Sequence, residues 1–284
     1  MQNVFRTDLA SEAYERLSAG AAVLDGVAAR HETLFDLPLF AVEIQSDAAA
    51  EKLGKPVGHY YTLELSAPLT RAAPGFAAHA AAVAALIRRC GVPEEGGALV
   101  AALGNPDITP DALGPLCASS ILVTRHLKER GEALWSAFSA VSLLRTGVLG
   151  TVGVESAEQI RALCDTVRPA LVIAVDALAG SEAARLCRSI QVCDSGISPG
   201  SGVCNDRRRI DRALLGVPVI AIGVPTVTDA APAGETTGEN GGALFVTPRD
   251  IDSAVRACAR IIAYGINLAL HPGLTVGDID ALVG

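Results

Sequence analysis

The sequence predicts an α/β protein, a three-layer sandwich with a mostly parallel central sheet. Three observations predict it. Short apolar runs at 99–103, 170–175 and 217–224 end in Gly- or Pro-rich turns and read as strands buried on both faces. Stretches of helical spacing, the Ala-rich 75–90 and the apolar-striped 249–270 among them, alternate with or follow such runs. Of the 284 residues, 50% are hydrophobic but only 4% aromatic, so Ala, Val, Leu and Ile must fill the core.

Taken in order, residues 1–8 read as a polar arm and a helix begins near Ser11. Residues 39–45 and 60–66 alternate polar and apolar and read as partner strands, the second half exposed. The helix at 75–90 stops at Gly91-Val-Pro93, and 99–103 is a strand. Asp111 opens the next helix, which runs through Pro115 to about Arg130. Ser156 starts a helix to about Val167, and the strand at 170–175 ends at Asp176. A short helix at 181–187, a short strand at 190–193 and a strand at 217–224 closed by Pro225 follow. Residues 229–242 read as a mobile surface loop, and 249–270 as a long helix with an apolar stripe of Ile251, Val255, Ile262 and Ile266. The whole chain, 1–284, reads as one domain.

The formal net charge of −8 excludes a nonspecific hold on nucleic acid, which needs a basic footprint, while leaving open a basic protein as substrate. No signal peptide precedes Arg6 and Asp8, and no apolar run reaches the length of a membrane span, so a cytoplasmic protein without membrane contact is expected. Seven scattered cysteines without a Cys-x-x-Cys fit reduced thiols in that compartment. Phosphate-loop, dinucleotide, serine-nucleophile and His-x-x-x-His zinc motifs are all missing.

The chemistry that remains is carboxylate chemistry. Asp111, Asp176 and Asp194 each follow an apolar run where it enters a turn, and the carboxyl ends of parallel strands line the ligand crevice. Two of them meeting in one cleft would supply an acid and a base. Each has a plainer reading. Thr109 or Asp111 fits a helix cap with Pro110 near its first position, and Asp176 fits a cap on the next helix. Asp176 nevertheless sits in an apolar setting, where an unpaired carboxylate costs several kcal/mol and has its pKa raised. Asp194-Ser-Gly196 matches the tripeptide of pepsin-like peptidases, but those are all-β. A divalent metal held by Asp111, Asp176 and Glu155 or a His is the alternative. Arg207-Arg-Arg209 reads as a solvated face, or as a guide for an acidic peptide.

Read together, several segments resemble the germination protease family of spore-forming bacteria, endopeptidases that degrade small acid-soluble spore proteins. They are Arg6-Thr-Asp-Leu-Ala-Ser-Glu-Ala13, Gly104-Asn105 with Thr109-Pro-Asp-Ala-Leu-Gly-Pro115, Val172-Ile-Ala-Val-Asp-Ala-Leu-Ala179, residues 190–205 and Leu215-Gly-Val-Pro-Val-Ile-Ala-Ile-Gly-Val-Pro225. The resemblance implies an atypical aspartic-type peptidase with Asp111 and Asp176 catalytic. Gly104, Asn105, Thr109, Glu155 and Asp194 would support them, with Asn105 and nearby N–H groups at the oxyanion. It also implies a fold like that of hydrogenase-maturation peptidases, a homotetramer, and action in the forespore or spore core with no cofactor. A zymogen would be processed near Asp8-Leu9, the arm lying in the cleft beforehand. The chain departs from the family pattern at Ser198, where His is usual, and at Cys204, where Gly is usual. Its five-residue leader before Arg6 is short for zymogen control, and the loop at 229–242 is shorter than the family's insertion. The same segments would also suit a protein that binds spore proteins without cutting them.

Overall fold

A computed structural model of the chain describes residues 6–19, 24–66, 69–131, 133–200, 207–230 and 244–283. Nine strands form one sheet. They are β1 (Val27–Leu34), β2 (Leu37–Ile44), β3 (Gly58–Glu64), β4 (Gly97–Leu103), β5 (Ala140–Gly147), β6 (Leu171–Ala179), β7 (Ser189–Cys193), β8 (Val219–Asp229) and β9 (Phe245–Val246). Their spatial order is β1-β2-β3-β7-β8-β6-β4-β5, with β9 added to β8. The core quartet β8-β6-β4-β5 is parallel, and an antiparallel wing of β1, β2, β3 and β7 joins it through β8.

Among the described residues, ten helices cover the sheet: α1 (Ala10–Ser18), α2 (Asp47–Leu53), α3 (Phe76–Arg89), α4 (Leu113–Ala118), α5 (Arg125–Glu129), α6 (Leu149–Val152), α7 (Ser156–Val167), α8 (Arg212–Leu215), α9 (Ile251–Leu270) and α10 (Val276–Val283). Strand alternation sorts the core into two layers. Val100, Ile173, Val175 and Ile222 face Phe76, Leu113 and Ile262 of α3, α4 and α9. Leu99, Ala101, Val172 and Ala174 face Leu9, Ala13 and Ile160 of α1 and α7. Helix α9 is long and apolar enough to cross a membrane by composition, which the sequence reading overlooked. It is instead a core helix, with 67% of its most apolar 18-residue window buried.

Several expectations are corrected. The first strand, β1, carries charged residues on an edge and escaped notice. It pairs with β2 through a tight turn at Phe35-Asp36, both at positive φ as a two-residue hairpin requires. Strand β3 is not half exposed, because β7 covers its second edge and Tyr60 to Leu63 are buried. The helix expected from Asp111 to Arg130 is broken. A 3-10 turn at Thr109–Asp111 precedes α4, and the chain is irregular before α5. Tertiary partners take the backbone there: Leu122 N–H donates to Asn267 Oδ1 at 3.0 Å and Thr124 N–H to the Val141 carbonyl at 3.1 Å. The short helix at 181–187 reduces to a 3-10 turn at Ala183–Arg185. Strand β5 is unforeseen, being only partly buried at the opposite edge. Strand β8 does not close at Pro225 but runs on to Asp229. The proline sits at a register shift against β6, where a missing N–H is tolerated. Of the loop expected at 229–242, Asp229 belongs to β8, and residues 231–242 lie outside the described residues.

Candidate active site

Strands β4 and β6 bring two carboxylates to one cleft. After Leu103 the chain turns out of the sheet at Gly104, whose φ is +108°. A Cβ there would lie 2.0 Å from the Asp111 carbonyl oxygen, so only glycine lets the 3-10 turn fold back over the strand. Asp111 is thereby aimed at the end of β4 rather than capping a helix. Its Oδ2 accepts the Asn105 N–H at 2.8 Å. Asp176 lies within β6 rather than at its end. It pairs with Gly223 of β8, one residue beyond the last β4 partner, Val175. By alternation its side chain shares a face with Val172, Ala174 and Leu178, the α1/α7 side.

The cleft encloses about 360 Å³ and is lined by Asp111, Asp176, Asp8, Gly104 and Arg207, with Ile108, Val148, Ser156 and Phe245 around them. Asp176 is only 5% exposed and its Oδ1 accepts the Ala177 N–H at 3.0 Å. Burial pushes its carboxyl pKa well above the usual range, and the Asp111 charge pushes it further; the Ala177 N–H and Arg207 oppose this weakly. Burial also raises Asp111, against the Asn105 N–H and the Arg207 charge, which favour its anion. The two environments thus differ. Asp176 holds its proton more tightly and Asp111 ionises first.

The other site residues are placed as follows. Asn105 offers its backbone N–H to Asp111, while its side-chain oxygen accepts the Asp107 N–H at 3.0 Å in a local turn. Thr109 Oγ1 donates to Asp252 Oδ1 at 2.9 Å, tethering the Asp111 turn to the first turn of α9. Glu155 precedes α7 and does not line the cleft; Ser156 does, its hydroxyl donating to Thr146 Oγ1 at 3.2 Å. Asp194 lies elsewhere, at the end of β7. Its Oδ1 accepts the His59 N–H and its Oδ2 meets His59 Nδ1, both at 2.7 Å. Among the described residues, no group of three or more His, Cys, Asp or Glu side chains could hold a metal ion.

The N-terminal arm is docked on β6. Asp8 N–H donates to the Ala179 carbonyl at 2.8 Å, and Asp8 Oδ2 accepts the Ala179 N–H at 2.9 Å. Leu9 is fully buried, worth about 2 kcal/mol of anchoring, and Lys55 Nζ donates to the Thr7 carbonyl at 3.0 Å. A second cavity of about 510 Å³, lined by Arg6, Arg16, Lys55 and Arg209, lies beside the cleft and shares Asp8 and Leu178 with it. Leu178 rests on Gly223, where an added Cβ would sit 2.4 Å from its Cγ. The sequence reading missed Ser156 and Arg207 as cleft residues. Arg207 opens a basic run that resembles any solvated face, and only the fold brings it to the cleft of Asp111 and Asp176.

A family model described as germination protease matches residues 4–239. A germination protease of Clostridium perfringens is 36% identical, the match spanning 99% of both chains. One of Caldanaerobacter subterraneus is 37% identical over 98% of both, and one of Bacillus cytotoxicus 32% identical over 94% of this chain and 93% of that one. Among solved structures, a [NiFe] hydrogenase maturation protease, HycI of Thermococcus kodakarensis, aligns with a TM-score of 0.38 and 19% identity. It covers 64% of this chain and 98% of that one.

Proposed function

The chain belongs to the germination protease family and is a peptidase; on that premise we propose that Asp111 and Asp176 act as a pair that hydrolyses peptide bonds in small acid-soluble spore proteins during germination. The observation that carries this reading is one cleft with two carboxyl groups, both with pKa raised by burial and the more buried one raised further by its neighbour's charge. Asp111, ionised, takes a proton from water as the water oxygen attacks the scissile carbonyl carbon. Asp176, protonated, gives its proton to the carbonyl oxygen. As the tetrahedral species collapses, the C–N bond breaks, Asp111 returns its proton to the leaving amine and Asp176 recovers one from the diol. The two groups titrate as a pair.

The activity needs no ion in this reading. The protein acts in the spore core and assembles as a homotetramer, which sedimentation of the purified protein would check. Processing near Asp8 and Leu9 remains part of the proposal. Leu9 is buried and Asp8 is bound to Ala179 here, so cutting it requires the arm to lift first. The test of the pair is cleavage of a synthetic spore-protein peptide by wild type, Asp111→Asn and Asp176→Asn. Both variants should lose roughly 10³-fold in kcat. Undiminished turnover in both refutes the pair.

A further inference from the structure

Strand β4 is shorter than its neighbours at the cleft. Its last pairing with β6 is Ala102 with Val175, whereas β6 stays paired with β8 as far as Ala179 with Val227. On the other side β4 reaches Gly147 of β5 and then leaves the sheet at Gly104. A lane one strand wide therefore opens between the ends of β6 and β5, with Ala177, Ala179, Gly147 and Val148 along its sides. The arm already meets its far end, where Asp8 N–H donates to the Ala179 carbonyl and its side-chain Oδ2 accepts the Ala179 N–H.

Main-chain groups of a strand point to alternate edges, so Ala177 presents its N–H and carbonyl to the same lane as Ala179. The Ala177 N–H currently meets a side-chain acceptor, Asp176 Oδ1. We propose that a peptide substrate binds as an added strand in the lane that β4 vacates, hydrogen-bonded through its main chain to Ala177 and, once the Asp8 contact yields, to Ala179. A substrate carbonyl on the Ala177 N–H replaces Asp176 Oδ1 there and frees that oxygen for the scissile bond. Main-chain pairing of this kind supplies affinity, and apolar walls such as Ile108 and Phe245 take alternate side chains.

This inference rests on the peptidase reading and adds how the chain is held. The test is an N-methyl scan. Single N-methyl groups are placed in turn along a synthetic peptide spanning the cut bond of a small acid-soluble spore protein. KM is measured with wild type, and Kd by fluorescence anisotropy with Asp176→Asn. Strand addition predicts a rise of at least tenfold at every second residue beside the cut bond, and less than twofold at the residues between. Ester replacement, which removes the donor without adding bulk, should give the same period. A cut parent peptide with a flat scan, or a scan without a period of two, overturns the inference alone. A parent peptide that wild type leaves uncut overturns the peptidase reading, and the inference with it.

Discussion

Asp176 and Asp194 both follow a buried run on the same sheet, but their surroundings are opposite. Asp194 keeps 28% of its side chain exposed, and both its oxygens are taken by His59, through the backbone N–H and the ring. Such a carboxylate has its acceptors filled and fixes the start of β3 against the end of β7. Asp176 is buried, accepts among the described residues the N–H of its neighbour Ala177, and shares its cleft with a second carboxylate. The difference separates an aspartate satisfied by its donors from one with few donors and a like charge beside it, the setting in which carboxylates suited to acid/base work are found.

The largest effect expected across this contrast is on turnover. Asp176→Asn should cut kcat by roughly 10³-fold, whereas Asp194→Asn should leave it within a few-fold in the same peptide assay. Comparable losses in the two variants would erase the distinction. Gly104→Ala should come next, because the added methyl displaces the Asp111 carbonyl; a loss of about 2–4 kcal/mol in denaturant stability and a large fall in kcat are expected.

Stability should separate the two aspartates in sign. With its pKa raised, folded Asp176 holds a proton that the unfolded chain releases. Native stability therefore falls as pH climbs from the ordinary carboxylate range toward the raised value. Asp176→Asn should stabilise the protein by about 1–2 kcal/mol at neutral pH, the gain fading in acid. Asp194→Asn should destabilise it by about 1 kcal/mol, because a charge-assisted bond is lost. Thermal melts at two pH values check both.

A smaller effect falls on the pH profile. Arg207→Gln removes a cation that favours both anions of the pair, so the acidic limb of kcat/KM should move to higher pH. No movement would place Arg207 outside the pair's field. The smallest effect expected is that of a chelator: dialysis against EDTA should leave kcat within twofold. Lost activity restored by one divalent ion would transfer the two carboxylates to a metal mechanism.

The strand that bears Asp176 was legible because 171–175 is an unbroken apolar run, which only burial on both faces explains. Asp111 was legible through the Gly and Pro that bend its turn. The edge strands were not, since β1 and β5 mix exposed and half-buried residues and give no clean period. Nor was the partner of Asp194, because His59 lies 135 residues away and only β3–β7 pairing brings it near. The Thr109–Asp252 bond spans 143 residues and is equally beyond local pattern. Local chemistry thus reveals which carboxylates are candidates, and long-range pairing decides which of them are disarmed.

Leu178, seated on Gly223, lines both chambers and stands with Asp8 where they meet. Trimming it to alanine would join an apolar room to a basic one, and on the proposed peptidase reading would widen the range of sequences tolerated beside the cut bond.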